Sequence, residues 1–294
     1  MLSKEKYEWM VKYTPQTEWI DGKGILLWLA FFFIELGAGL YFIANIFNSW
    51  TGMLTGWLIC LVLGGGFHFL YLGRPFRVYR AFMKPQTSWI SRGMIFIALF
   101  ALLGLIQLLS IQLSQANPLA LRVLMGIVSF LEVIYAAFAM SYVSALPIWN
   151  TPLIPAIYTV ASIWGGTELL VGINLLSGHH AAEAESWARI LMIFFAFLLV
   201  LYLFSIRYAS NTAREAINRI VKGDLALLFY LGAVLIGIIF PFIVAGLSFT
   251  LGLGVLNTSI VIIAILCGLI GDLAIRYCIM KGALYTPLLP IRQI

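Results

Sequence analysis

Eight long apolar segments, separated by short polar ones, run through this sequence from residue 24 to residue 280. Each segment has about 20 residues or more, which is enough to cross the hydrocarbon core of a bilayer as a helix. The apolar residues are continuous and do not alternate with a period of two, so a transmembrane β-barrel is excluded. The predicted spans are 24–47, 51–72, 93–113, 119–142, 152–176, 187–208, 225–249 and 254–280. We therefore expect an all-α integral membrane protein, one domain over residues 1–294, with its eight helices arranged as two four-helix bundles.

The composition agrees with this interpretation. The chain is 62% hydrophobic and 10% charged, with a mean hydropathy of +1.00, which excludes a soluble globular domain. Residues 1–23 are polar and contain no apolar core followed by a small-residue cleavage site, so we expect no signal peptide. The net charge of +6 is what a membrane topology produces, and it does not call for a nucleic-acid partner.

Positive charge is concentrated in loops on one side of the predicted bundle. Loop 73–92 and loop 209–224 together carry eight basic residues: Arg74, Arg77, Arg80, Lys84, Arg92, Arg214, Arg219 and Lys222. The loops on the other side are short and nearly free of Lys and Arg. By the positive-inside rule we expect a multi-pass protein of the cell membrane whose basic face and two termini are cytoplasmic.

Residues that bind metals are few and scattered. Cys60, Cys267 and Cys278 stand singly, without a CxxC spacing, and His179 and His180 are adjacent in one loop. Membrane subunits that carry b-type haem need histidines within their spans, usually in pairs. We therefore expect this chain to bind no haem, no iron–sulfur cluster and no metal.

Each ionisable residue inside a span needs a structural or functional explanation, because placing it in the membrane costs roughly 2.5–3.5 kcal/mol on insertion scales. Asp272 and Arg276 are four residues apart in span 8, which predicts an ion pair on one helix face. Glu168 in span 5 belongs either to a proton path or to a neutral, hydrogen-bonded acid. Glu35 in span 1 is the remaining carboxyl outside span 4.

Three further polar residues are candidates for chemistry. Glu132 and Tyr135 share a helix face at i,i+3 in span 4, and His68 lies near the basic end of span 2. A buried tyrosine or histidine often has only a structural role, with its polar atoms hydrogen-bonded to neighbouring residues. In the functional interpretation, Tyr135 donates to a ligand carbonyl while Glu132 and His68 move protons.

Several short motifs resemble those of a known family. They are Glu35-Leu-Gly-Ala-Gly39-Leu-Tyr in span 1, His68-Phe-Leu-Tyr-Leu-Gly73-Arg-Pro75 after span 2, and Ser88-Trp-Ile-Ser-Arg-Gly93 before span 3. Span 4 reads Ser129-Phe-Leu-Glu-Val-Ile-Tyr135, followed by Pro147-Ile-Trp-Asn150. In these motifs and in its eight-span layout, the protein resembles the NrfD-like family, the polysulfide reductase membrane-subunit type.

The resemblance implies a haem-free, quinone-reactive membrane anchor within a respiratory oxidoreductase complex. It implies a quinone, with menaquinone favoured, bound among the first helices, with Tyr135 hydrogen-bonding it and His68 and Arg92 at the quinone site or docking face. It also implies a ferredoxin-like iron–sulfur subunit docked on the basic face at loop 73–92, and a catalytic subunit of molybdopterin type. The protein would then carry out quinol oxidation or quinone reduction without a redox cofactor of its own.

Two function hypotheses follow from these observations. In the first, quinone exchanges electrons with the docked iron–sulfur subunit, and His68, Glu132 or Glu35 exchanges the protons. In the second, buried carboxylates and proline-interrupted helices belong to a secondary transporter or channel. The sequence lacks matched interrupted segments in its two halves, which favours the first hypothesis.

Overall fold

The computed structural model describes residues 10–178, 182–252 and 255–289, and in them eight helices are long and apolar enough to span a membrane. A ninth, short amphipathic helix, Asn211–Val221, lies between the sixth and seventh spans. The prediction of an all-α membrane protein with eight spans is confirmed. The helices are α1 Gly24–Ile46, α2 Trp50–Tyr71, α3 Trp89–Ser114, α4 Leu119–Ser141, α5 Leu153–Leu176, α6 Ala182–Arg207, α7 Asn211–Val221, α8 Leu228–Leu251 and α9 Thr258–Gly282.

The spanning helices form two groups of four, as expected. Helix α1 packs against α2 and α4, and α3 closes this first bundle by packing against both. In the second bundle α5 packs against α6 and α9, and α8 packs on α9. The bundles meet where α1 crosses α5 at Gly39 and Gly166, whose missing side chains let the two backbones touch. Small residues allow such close approach of membrane helices.

The described segments before α1 and after α9 and the long loops lie on one side, here called the basic face. The chain reaches this face before α1, between α2 and α3, between α4 and α5, between α6 and α8, and after α9. Two short strands, β1 Thr14–Pro15 and β2 Leu284–Tyr285, pair antiparallel there and join the two terminal segments. The other ends of the helices, with loops 47–49 and 115–118, form the opposite face.

The loops of the basic face contain helical structure that the hydropathy pattern does not predict. Within loop 73–92 a 3₁₀ helix runs from Pro75 to Phe82, and α3 begins at Trp89 instead of residue 93. Ser88 caps α3 by accepting a hydrogen bond from the Ser91 amide at 3.3 Å. Loop 209–224 contains α7, whose Ser210 cap accepts from the Ala213 amide at 3.0 Å.

Halfway along α2 the backbone hydrogen bonding changes from α-helical to π-helical, next to a cavity described below. Residues Ile59–Gly64 are π-helical, a local irregularity that often occurs at functional sites. Before this segment α2 is tied to α3, because Trp57 Nε1 donates to the Ala101 carbonyl at 3.2 Å and Trp50 Nε1 to Leu108 at 3.3 Å. Beyond it, toward the basic face, a cavity lies between the two helices.

Candidate functional site

A cavity of about 440 Å³ lies inside the first bundle, near the basic face. Its walls come from α1 to α4, from the 3₁₀ helix Pro75–Phe82 and from Trp19 in the segment before α1. Most lining side chains are apolar. Three of the polar residues predicted from sequence, His68, Glu132 and Tyr135, line it together. This size and this mixture of apolar walls with a few polar groups are typical of small-molecule sites.

His68 and Tyr135 contact each other across the cavity. The Tyr135 hydroxyl lies 3.4 Å from His68 Nε2, a long hydrogen bond. The Phe31 ring packs against both, with ring centroids 5.8 Å from His68 and 6.0 Å from Tyr135. The pair is therefore held between α2 and α4 by a ring from α1.

Gly93 makes room for the Tyr135 ring. A Cβ atom at residue 93 would overlap ring carbons of Tyr135, so the backbone of α3 passes directly over that ring. Gly93, the last residue of the Ser88–Gly93 motif, thus leaves the space that the Tyr135 ring of α4 occupies. Any other residue type at position 93 would displace the Tyr135 ring.

Several buried polar atoms at the cavity have no hydrogen-bond partner in the described part of the chain. They are His68 Nδ1 and both carboxyl oxygens of Glu132. A buried unpaired donor or acceptor costs about 1–3 kcal/mol, so native proteins rarely leave such atoms without water or ligand. Free polar atoms beside an apolar cavity therefore fit a ligand that carries hydrogen-bonding oxygens.

Arg92 shapes the neighbouring loop and is not among the residues that line the cavity. Its Nε donates to the Pro85 carbonyl at 2.8 Å, and its Nη2 donates to the Gln86 carbonyl at 2.9 Å. Its guanidinium also lies 4.6 Å from the centre of the Trp89 ring. The structure thus places Arg92 at the turn into α3, on the basic face, where it fixes the loop.

Glu35 lies in a different environment, in a buried ionic cluster between the two bundles. Glu35 Oε2 pairs with Arg276 and accepts from the Ser162 hydroxyl at 3.2 Å. Arg276 Nε also bonds both carboxyl oxygens of Asp272, at 3.1 Å and 3.0 Å. The predicted Asp272–Arg276 ion pair is therefore present. Its link to Glu35, which joins α1, α5 and α9, was not predicted.

Trp19 is a cavity residue that the sequence analysis missed. Its ring packs on Trp149 with centroids 5.3 Å apart and on Phe31 at 6.1 Å. The strand pair β1–β2 holds this segment over the mouth of the first bundle. The one available signal was the enrichment of tryptophan at membrane interfaces, which does not identify a ligand site.

Metal-ligating side chains do not cluster in the described residues: no group of three or more His, Cys, Asp or Glu is placed to hold an ion. Cys60, Cys267 and Cys278 are unpaired thiols. His179 and His180 lie outside the described residues.

Comparison with known proteins agrees with the fold and the motifs. The profile of the family described as "Polysulphide reductase, NrfD" matches residues 23–287. One subunit of the polysulfide reductase of Wolinella succinogenes is 29% identical over 189 residues, a match that covers 59% of this protein and 56% of that subunit. The alignment thus spans little more than half the length of this relative. Because the family profile covers nearly the whole sequence, this multi-pass membrane protein belongs to the NrfD family.

Proposed function

We propose that this protein is the quinone-reactive membrane subunit of an oxidoreductase complex, and that it passes electrons between membrane quinone and a docked iron–sulfur subunit. The observation that carries the proposal is the 440 Å³ cavity, with its apolar walls and its unpaired His68 and Glu132 atoms beside Tyr135. Family membership and the relative named as part of a polysulfide reductase support the same function.

The hydrogen-bond pattern supports a separate role for each nitrogen of His68. When the Tyr135 hydroxyl donates to Nε2, a neutral imidazole must carry its one proton on Nδ1. Nδ1 is buried without a partner among the described residues, so it can donate to a carbonyl oxygen held in the cavity. Tyr135 then fixes the tautomer, and its hydroxyl oxygen can still accept a hydrogen bond from a quinol hydroxyl.

Glu132 supplies a second proton-exchanging group. It is fully buried one turn before Tyr135, and neither of its oxygens has a partner in the part of the protein that the structure describes. A protonated carboxyl can donate a hydrogen bond and a carboxylate can accept a proton, so Glu132 can hold or release one proton at the ligand. A bound quinone supplies the coupled electron and proton chemistry, while these residues bind, orient and exchange protons.

The cavity also suits a ligand with a long isoprenoid tail. Phe69 on α2 and Ile90 on α3 line it and are 58% and 51% exposed on the outer surface of the bundle. We propose that a lipid tail lies between these exposed side chains while the ring occupies the cavity. Menaquinone is the quinone that the family resemblance favours.

The partner surface lies directly beside the cavity. In the 3₁₀ helix Pro75–Phe82, Val78 and Ala81 line the cavity, while Arg77 and Arg80 are exposed to the outside. One short element thus separates bound quinone from a cationic surface. We propose that an acidic, ferredoxin-like iron–sulfur subunit docks here and connects to a catalytic subunit of molybdopterin type, with the basic face in the cytoplasm of the cell.

Two glycines of α2 provide a direct test of the quinone site. Gly65 lines the cavity, and a Cβ there would meet only the Cys60 carbonyl at 3.9 Å, whereas a Cβ at Gly66 would meet nothing within 4 Å. We expect Gly65→Leu to fill the cavity and abolish quinol turnover by the assembled complex. Gly66→Leu, the matched control, should keep most of it. Equal turnover in the two variants, measured by steady-state quinol oxidation, would contradict the proposal.

A further inference from the structure

Glu168 is a buried carboxyl that the quinone site does not use. It lies in α5 of the second bundle, is 8% exposed, and its Oε2 has no hydrogen-bond partner in the described ranges. The indole of Trp164, one turn earlier, lies beside this carboxyl against Gly268, and its Nε1 has no hydrogen-bond partner among the described residues. Glu35 is neutralised by Arg276, but among the described residues Glu168 has no such cation.

A separate cleft of about 60 Å³ leads to this carboxyl. Its polar lining consists of Glu168, Glu185, Arg189 and Ser248, and its other walls are apolar residues of α5, α6, α8 and α9. A water needs roughly 10–15 Å³ of such volume and a few polar partners, so the cleft can hold several waters. It is distinct from the quinone cavity, with which it shares no lining residue.

The outer end of the cleft is polar and partly exposed. Glu185 accepts from the Ser248 hydroxyl at 2.6 Å and pairs with Arg189, and the side chains of Arg189 and Glu185 are 22% and 13% exposed. Glu185 and Arg189 lie in the first turns of α6, at the opposite face, and Ser248 lies near the end of α8. Glu168 is eight residues from the end of α5 at the same face, so it lies about 12 Å deep at 1.5 Å per residue.

The inner end adjoins the ionic cluster. Gly268 of α9 lies against the carboxyl, since a Cβ there would be 2.7 Å from Glu168 Oε2. One turn further along α9 is Asp272, which belongs with Arg276 and Glu35 to the buried cluster. The charged groups around Glu168 are therefore Glu185 and Arg189 from α6, and Asp272, Arg276 and Glu35 from α9 and α1. Helix α8 contributes the hydroxyl of Ser248.

We propose that Glu168 is a proton-binding site at the closed end of a hydrated half-channel that opens on the face opposite the quinone cavity. A proton from water in the cleft forms an O–H bond with a carboxylate oxygen of Glu168 and returns to water when that bond breaks. Ionisable residues inside membrane helices commonly mark such proton routes. The second bundle then connects the opposite face with the ionic cluster that borders the first bundle.

Infrared spectroscopy of the full-length protein in lipid tests this proposal. The carboxylic C=O stretch of a protonated Glu168 should shift on transfer to D₂O, should be lost in Glu168→Gln and should persist in Glu132→Gln. Ala245→Leu, which fills the cleft, should slow this exchange severalfold. Gly246→Leu, at a neighbouring position with open space, should leave the exchange rate unchanged.

Two results would overturn the proposal. One is an unchanged carbonyl region in Glu168→Gln at every pH tested. The other is an exchange rate that Ala245→Leu leaves at the wild-type value. If Ala245→Leu does not fold, Ala188→Leu, at another residue that lines the cleft, replaces it and should slow the exchange in the same way. No quinone is added in these experiments, so their failure would leave the quinone site untouched.

Discussion

At the residue scale, three buried glutamates that look alike in the sequence have three different environments. Among the described residues, the carboxyl oxygens of Glu132 have no partner at the cavity of the first bundle, Glu35 is paired with Arg276, and Glu168 lies at the closed end of a mostly apolar cleft. The sequence places Glu132 and Tyr135 on one helix face because their spacing is local. It does not predict the Glu35–Arg276 contact, since 241 residues separate the partners.

Tyr135→Phe isolates the contribution of one hydroxyl. The described contacts of that hydroxyl are limited to His68, so its loss should leave the fold intact. A neutral hydrogen bond contributes about 1 kcal/mol, so we expect a roughly five-fold higher KM for quinol. Tyr142→Phe, at an exposed position outside the cavity, should behave as wild type. Steady-state kinetics that are identical in the two variants would argue against a role for Tyr135 in binding.

At the element scale, hydropathy predicts the spans to within a few residues but misses helices that are not continuously apolar. Helix α7 has basic and polar residues on its outer face, and its buried residues are small or aliphatic, so it appears as a loop in a hydropathy scan. The early start of α6 at Ala182 is missed for the same reason, because Glu183 and Glu185 lower the hydropathy of its first turn. Acidic residues at that position are favourable to the helix dipole.

Arg276 should be the strongest single link between the two bundles. Arg276→Met leaves the carboxylates of Glu35 and Asp272 buried without a cation, a change that costs about 3–5 kcal/mol when a buried pair is broken. We expect a large fall in the melting temperature of the detergent-solubilised protein. Arg189→Met removes a more exposed arginine from a similar ion pair and should cause a much smaller fall. Similar falls in the two variants would show that the cluster is not the main link.

At the scale of the whole molecule, the basic face and the proposed quinone cavity belong to the same end of the first bundle. The sequence predicts the charge asymmetry, because the predicted spans define the loops between them and the basic residues of each loop can be counted. It does not predict that one side of the 3₁₀ helix lines the cavity, since that depends on how residues 75–82 fold back over α2 and α3. The terminal strand pair, which brings Trp19 to the cavity, is unpredictable for the same reason.

Charge reversal on this helix tests the docking surface. Replacing Arg74, Arg77 and Arg80 with Glu should weaken binding of the iron–sulfur subunit, most strongly at low ionic strength, where charge attraction is least screened. Arg214→Glu changes an exposed residue of α7 on the same face but away from the cavity, and it should have a smaller effect. Copurification of the partner subunit at several salt concentrations measures both. Equal retention in both variants would place the docking surface elsewhere.

We propose that quinone binds in the cavity formed by α1 to α4. The most direct measurement is photolabelling of the membrane-embedded protein with an azido-quinone, followed by identification of the labelled peptides by mass spectrometry. We expect labels in residues 65–71 of α2, in residues 90–97 of α3 and around Tyr135, with a clear loss of all three in Gly65→Leu. Labels confined to the second bundle, such as the lipid-facing groove of Leu235 and Cys267, would contradict it.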